Sequence, residues 1–168
     1  RGNLERVRER IAAAALRSGR NPAEVQLLAV TKTQPDVVVD LAWRAGLRLL
    51  GENRVQEAAG KYGTPPGRWP GIDLHLIGHL QRNKARLAAG LFGCVQSIDK
   101  LETAEALDRA CQQAGRSIDV LLEMNTSGEA SKSGFQEESA LLEAAAALRG
   151  LGTLRLRGLM TVGPLTED

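Results

Sequence analysis

Aromatic residues are scarce: Trp43, Tyr62, Trp69, Phe92 and Phe135 make up 3% of a 168-residue chain. So few rings cannot build the stacking platform of a single-strand nucleic-acid binder. There is no excess of one charge either. Twenty-two Lys and Arg against 20 Asp and Glu leave a net charge of +2, which is no electrostatic footprint for nucleic acid. No apolar run approaches the ~20 residues of a membrane-spanning helix. No charged segment followed by an apolar one opens the chain, as a secretory signal would. The two cysteines, Cys94 and Cys111, form no CxxC and no metal-ligand spacing, so nothing demands an oxidising compartment. These absences predict a cytoplasmic protein that engages neither nucleic acid nor membrane. The lack of identifiable exposed aromatics and of heptads predicts a monomer.

Several signatures are missing as well. Five residues separate Gly128 from Gly134, and Phe135 follows, so the spacing of a phosphate-binding P-loop fails. There is no GxGxxG for a dinucleotide and no Gly-x-Ser-x-Gly elbow. His75 and His79 are four apart, but His75 falls in a strand, where four residues span roughly 13 Å. Leu76 follows His75, so HExxH is absent too. No metal site is expected. His75 is read as a packed or hydrogen-bonded strand residue, and His79 as a site candidate at a strand mouth.

What is present is a globular composition, 43% hydrophobic and 25% charged, of a length for one domain. Leu4, Val7, Ile11 and Ala14 recur at helical spacing, and Gly19 suits the stop of that helix. Val25 to Lys32 is a mostly apolar run ending in polar residues, as strands buried on both faces do. Pro35 opens a helix through Val38, Leu41 and Ala42 that stops at Gly46. The pattern then repeats. Strands are expected at Leu47–Leu50, Asp73–Ile77, Phe92–Gln96, Ile118–Met124 and Leu154–Met160. Helices are expected at Val55–Lys61, Asn83–Ala89, from a capping box of Asp99 and Glu102 to about Ala114, and at Glu137–Leu148.

This is an α/β chain of strict alternation with one extra N-terminal helix, which implies parallel strands. An open doubly wound sheet and a (β/α)₈ barrel both remain open, and six strands cannot close such a barrel. The chain opens at Arg1 rather than Met and stops at Asp168, just after a strand-like segment. Both ends read as cuts, and the expectation is a portion of a longer protein.

In either architecture, chemistry sits at the C-terminal ends of the strands. Thr31-Lys32-Thr33, Gly51-Glu52-Asn53, Gly78-His79, Ser97, the Asn125–Gly134 segment and Met160-Thr161 all fall there. Lys32 is the sharpest feature. An amine at the end of a buried strand, once neutral, can attack a carbonyl and form an imine; the alternative is a lysine snorkelling into solvent. Asn53 is either an ordinary helix N-cap or an amide offered to a ring substituent. The Ser127–Gly134 segment, with Lys132, is either an anion cradle or a polar loop. A nucleotide or small metabolite at the switch point of a doubly wound sheet is a further reading.

Six segments add a resemblance. They are Leu27-Leu-Ala-Val-Thr-Lys-Thr-Gln-Pro35, Leu50-Gly-Glu-Asn-Arg-Val-Gln-Glu57, His75-Leu-Ile-Gly-His-Leu-Gln-Arg-Asn-Lys84, Ser97-Ile-Asp-Lys-Leu101, Ser131-Lys-Ser-Gly-Phe135 and Leu156-Arg-Gly-Leu-Met160. In this order and at these intervals the chain resembles the pyridoxal phosphate homeostasis proteins. The resemblance implies a TIM-type (β/α)₈ barrel of the alanine racemase N-terminal type with an extra N-terminal helix. Residues 1–168 would form one cofactor-binding barrel domain, truncated after about six strands, with the last strands and phosphate-binding loops missing. It implies pyridoxal 5′-phosphate held as a reversible aldimine on Lys32, with Asn53 beside the ring and Met160 at the rim under it. It implies a role in cofactor and amino-acid homeostasis without an established reaction, with pyridoxal-phosphate-dependent apo-enzymes as recipients. A pyridoxal-phosphate-dependent amino-acid racemase or decarboxylase is the alternative. A racemase would need a second acid/base group, and Tyr62 is the only tyrosine. Gln34 stands where many members carry a second lysine. Without phosphate-binding loops, the 168 residues are expected to bind the cofactor poorly, and the parent protein to bind it through Lys32.

Overall fold

Leu50, Leu74, Leu76, Val95, Val120 and Leu122 are buried side chains on successive strands, and the ladders place them on one face of a single sheet. That face needs a cover, and the amphipathic helices between the strands supply it. The computed structural model describes residues 2–63, 67–129 and 133–163. In chain order the elements are α1 (Gly2–Arg17), β1 (Ala29–Val30), α2 (Asp36–Arg44), β2 (Leu49–Glu52), α3 (Val55–Tyr62) and β3 (Asp73–Leu76). They continue as α4 (Ala85–Leu91), β4 (Cys94–Ile98), α5 (Leu101–Gln113), β5 (Ile118–Glu123), α6 (Glu138–Leu148) and β6 (Leu154–Met160).

The sheet runs β1-β2-β3-β4-β5-β6, and every neighbouring pair is parallel. A doubly wound sheet must reverse its order at a switch point, and this one never does. Right-handed crossovers that always step the same way place every helix on the same face. That is how the wall of a (β/α) barrel is built, so the doubly wound reading is excluded. The core lies between sheet and helices, where Phe92, Ile98, Leu107 and Ile118 are fully buried. α1 stands apart from this layer and buries only Ala15.

The opposite face is polar. Gly51, His75, Cys94, Asp119 and Arg155 form one row across five strands. As the sequence suggested, His75 is a hydrogen-bonded strand residue. Its Nδ1 lies 2.7 Å from Gln96 Nε2 and its Nε2 3.4 Å from Asp73. Arg155 and Arg157 donate to the two oxygens of Asp119 at 2.5 and 3.0 Å. Burial works against ionisation of Asp119, but these two bonds outweigh it and hold the carboxyl below the usual range. Burial, with Asp119 and Asp73 nearby, pushes the Cys94 thiol up to about 12.

Three boundaries differ from the expected ones for physical reasons. β1 is only two residues long, because its ladder with β2 covers only Ala29 and Val30 before the chain turns at Lys32 and Thr33. β2 runs on through Glu52, which ladders with Leu76 and so belongs to the strand rather than a turn. The expected capping box does not form. α5 starts after Lys100 without a side-chain cap, and the Asp99 carboxylate instead meets His79 Nδ1 at 2.9 Å. No helix among the described residues is long and apolar enough to cross a membrane.

Candidate functional site

The turn after β1 carries Lys32, and its placement follows from its neighbours. Thr31 extends the ladder by donating its N–H to Gly51 O at 3.0 Å. Its side chain points to the helix side, where its hydroxyl meets Glu52 Oε1 at 2.8 Å and the Tyr62 hydroxyl at 2.9 Å. Lys32 follows in the turn, after the strand pairing has ended. Lys32 is exposed. Thr33 follows with φ of 60°, and its N–H donates to Glu57 Oε1 at 2.6 Å.

Behind this turn lies a buried ion pair. Lys61 Nζ donates to Glu52 Oε1 at 2.9 Å and to the Thr31 carbonyl at 2.8 Å. The Lys61 side chain is 8% exposed and that of Glu52 0%. Tyr62 also donates to Glu52 at 3.2 Å. Burial raises the Tyr62 pKa, and Glu52 beside it adds to the rise.

Asn53 follows β2 at the same rim. It does not cap α3: Arg54 holds the N-cap position, with no side-chain cap bond. The N-cap reading therefore fails, and among the described residues no side-chain hydrogen bond engages the Asn53 amide. The backbone of Asn53 passes so close to Gly78 that a Cβ at 78 would collide with it, so glycine is what lets the β2 and β3 ends approach.

Asn53, Ile77, Gly78, His79, Glu123, Met124, Asn125, Ser133 and Val162 line a cleft of about 320 Å³, within the range of small-molecule pockets. A neighbouring hollow of about 340 Å³ shares Asn53 and His79 and adds Arg54, Gln81 and Lys84. The cleft thus gathers the ends of β2, β3, β5 and β6. Lys32 and Met160 are not among its lining residues. Met160 closes β6, half-buried opposite Glu123, and its carbonyl accepts the Met124 N–H at 2.9 Å. A hollow of about 480 Å³ at the opposite end, between α1 and the β1 and β2 starts, lies away from the end where barrels carry chemistry.

Two buried carboxylates stand at or behind the cleft. Asp99 is buried and engages His79. Glu123 is buried, with Ser133 donating to its Oε1 at 3.3 Å. Burial raises the Glu123 pKa, opposed by the Ser133 bond, while the Asp99 charge adds to the rise. Ser97 Oγ donates to Gly78 O at 2.6 Å, a structural tie rather than a ligand contact. In the segment after β5, Asn125 Oδ1 accepts from the Ser127 N–H and hydroxyl at 3.1 and 2.9 Å, so its start is an Asx turn. Lys132, the cation of the possible anion cradle, lies outside the described residues.

The sequence reading missed the roles of Lys61 and Tyr62. Their only signal was a helix, α3, whose last turn pairs a lysine with the sole tyrosine next to a polar strand end.

Comparison with known proteins adds the following. The alanine racemase N-terminal domain model matches residues 2–168. The pyridoxal phosphate homeostasis protein of Pseudomonas aeruginosa is 44% identical over 169 residues, covering 99% of this chain and 71% of its own length. The solved structure of PipY from Synechococcus elongatus PCC7942, with pyridoxal phosphate bound, superposes with a TM-score of 0.78 at 38% identity, covering 95% of this chain and 72% of that one. Alanine racemase of Clostridium difficile 630 superposes with a TM-score of 0.65 at 17% identity, covering 82% of this chain and 35% of that one, a likeness of fold alone.

Proposed function

The chain belongs to the alanine racemase N-terminal domain family, and within it to the pyridoxal phosphate homeostasis proteins; on that premise we propose that its rim binds pyridoxal 5′-phosphate and that Lys32 is the residue that holds it. The observation that carries this reading is the pairing of two strand ends. The exposed turn after β1 that carries a primary amine, and the end of β2 that carries an amide with no bonded partner among the described residues, are joined through the Thr31–Glu52 bond.

The residues fit the group. When bound, the cofactor contributes an aldehyde, an electrophile for a primary amine. Lys32 supplies the amine: no hydrogen bond or ion pair engages its Nζ among the described residues. Asn53 offers its amide to a ring substituent, and Met160 a half-buried apolar contact at the rim. The related PipY was solved with this cofactor bound, which supports the binding reading.

The role is to hold and release the cofactor, with apo-enzymes that use it as recipients, rather than to turn over amino acids. Racemisation needs acid/base groups on both faces of the ring. Tyr62, the only tyrosine, lies on the helix side of the sheet, with its hydroxyl committed to Thr31 and Glu52. An absorbance titration of the full-length protein with pyridoxal phosphate tests the binding. Saturable spectral change in the wild type that disappears in Lys32→Ala supports the reading, and equal change in both contradicts it. Incubation with L-alanine in deuterated water separates the roles: absence of α-proton exchange fits a carrier, and fast exchange with inversion fits a racemase.

A further inference from the structure

We infer that Lys61 and Glu52 form a clamp behind the sheet that sets the position of Lys32 relative to Asn53; this rests on the cofactor reading of those two residues.

Stability alone does not account for the pair. Two charges withdrawn from water lose hydration, and apolar replacement of buried ion pairs is often neutral or stabilising. Here both charges are kept at 8% and 0% side-chain exposure, directly behind the turn that presents Lys32. Lys61 spends its donors on that turn and its support. It holds the Thr31 carbonyl at 2.8 Å and Glu52 at 2.9 Å, and lies 3.7 Å from Glu57. Glu57 in turn accepts the Thr33 N–H at 2.6 Å. The residues on both sides of Lys32 are thus tied to one ammonium, while no described residue tethers the Lys32 side chain.

Thr33 marks the same point. Its φ of 60° is a conformation that a β-branched residue adopts only when its surroundings impose it, and the Glu57 bond is that imposition. At the other end, Glu52 directly precedes Asn53, and Lys61 lies on α3, the helix that Asn53 leads into. One cluster therefore fixes both contact residues. It also removes Lys61 as a rival nucleophile, since its amine is buried and bonded. Lys61, Glu52 and Thr31 are positioning residues and touch no ligand themselves.

Two readouts in Thr31→Val, Thr31→Ser and Lys61→Met test the clamp. The first is amide hydrogen exchange at Thr33 and Gln34 in the protein without ligand, referenced to α5 amides so that global destabilisation cancels. The second is the half-saturating concentration of pyridoxal phosphate. Thr31→Val, which keeps the shape and loses the hydroxyl, and Lys61→Met should speed exchange at these two amides. Both should also raise half-saturation about tenfold or more. Thr31→Ser should restore both readouts. Unchanged exchange, or faster exchange with unchanged half-saturation, overturns the clamp. If the wild type takes up no cofactor at Lys32 while the two amides still loosen, the clamp on the turn stands and the cofactor reading falls.

Discussion

The Thr31 hydroxyl donates to Glu52 Oε1 at 2.8 Å, and this bond joins the turn that bears Lys32 to the strand end that bears Asn53. The two residues are 21 apart in sequence. They meet because β1 and β2 are parallel neighbours whose ladder ends at Val30 and Gly51, so their next residues emerge side by side. A helix then returns a lysine and a tyrosine to the same point from behind.

Breaking that buried pair should be costly in one direction only. Lys61→Met leaves the Glu52 carboxylate buried without its cation and should destabilise the fold by about 3–5 kcal/mol. Adding Glu52→Gln removes the stranded charge and should recover most of that loss. Urea denaturation of the single and double variants measures both, and a double variant no more stable than the single would refute the account of the pair.

Asn53→Ala separates capping from ligand contact. Loss of a true N-cap costs about 1 kcal/mol. Because Arg54 occupies the cap position without a side-chain bond, Asn53→Ala should shift stability by no more than about 0.5 kcal/mol. Affinity for pyridoxal phosphate should nevertheless fall. Denaturation midpoints and the absorbance titration, read together, decide the matter.

Gly78→Ala should act on both properties at once. A Cβ at 78 collides with the Asn53 backbone, so the β2 and β3 ends must separate at a cost of about 1–3 kcal/mol. Asn53 moves with its backbone, and cofactor affinity should drop in parallel with the denaturation midpoint.

Glu123 gives a pH signature. Burial raises its folded-state pKa above the ordinary 4.5. The folded state therefore binds this proton more tightly than the unfolded one, and stability falls as pH rises from 4.5 towards the folded value. Glu123→Gln keeps an acceptor for Ser133 and removes the charge. The melting temperature of the variant should match the wild type near pH 4 and exceed it increasingly towards pH 7. Asp119 has the opposite sign. Its depressed pKa stabilises the fold above the ordinary carboxylate range, and that contribution is lost as pH falls through the folded value.

The six strands and the helices between them were legible because short apolar runs ending in polar residues alternate with helical periodicity, although in the structure only the helix-covered face of the sheet is apolar. The neighbour order was not, since periodicity along a chain says nothing about which strand lies beside which; only the monotonic ladder removed the doubly wound alternative. Lys32 and Asn53 were legible as strand-end residues. The Glu52–Lys61 pair was not, because Glu52 read as part of a turn and Lys61 as a helix-surface lysine. Asp99 read as a helix cap, but His79, at a distant point in sequence, competes for the same carboxylate.

The most direct test of the account is reductive trapping. The full-length protein is incubated with pyridoxal phosphate, reduced with borohydride, digested and mapped by mass spectrometry. A pyridoxyl modification on the peptide containing Lys32, and its loss in Lys32→Ala, is the result expected. Modification at Lys61, Lys84 or Lys100 with Lys32 unmodified would contradict it.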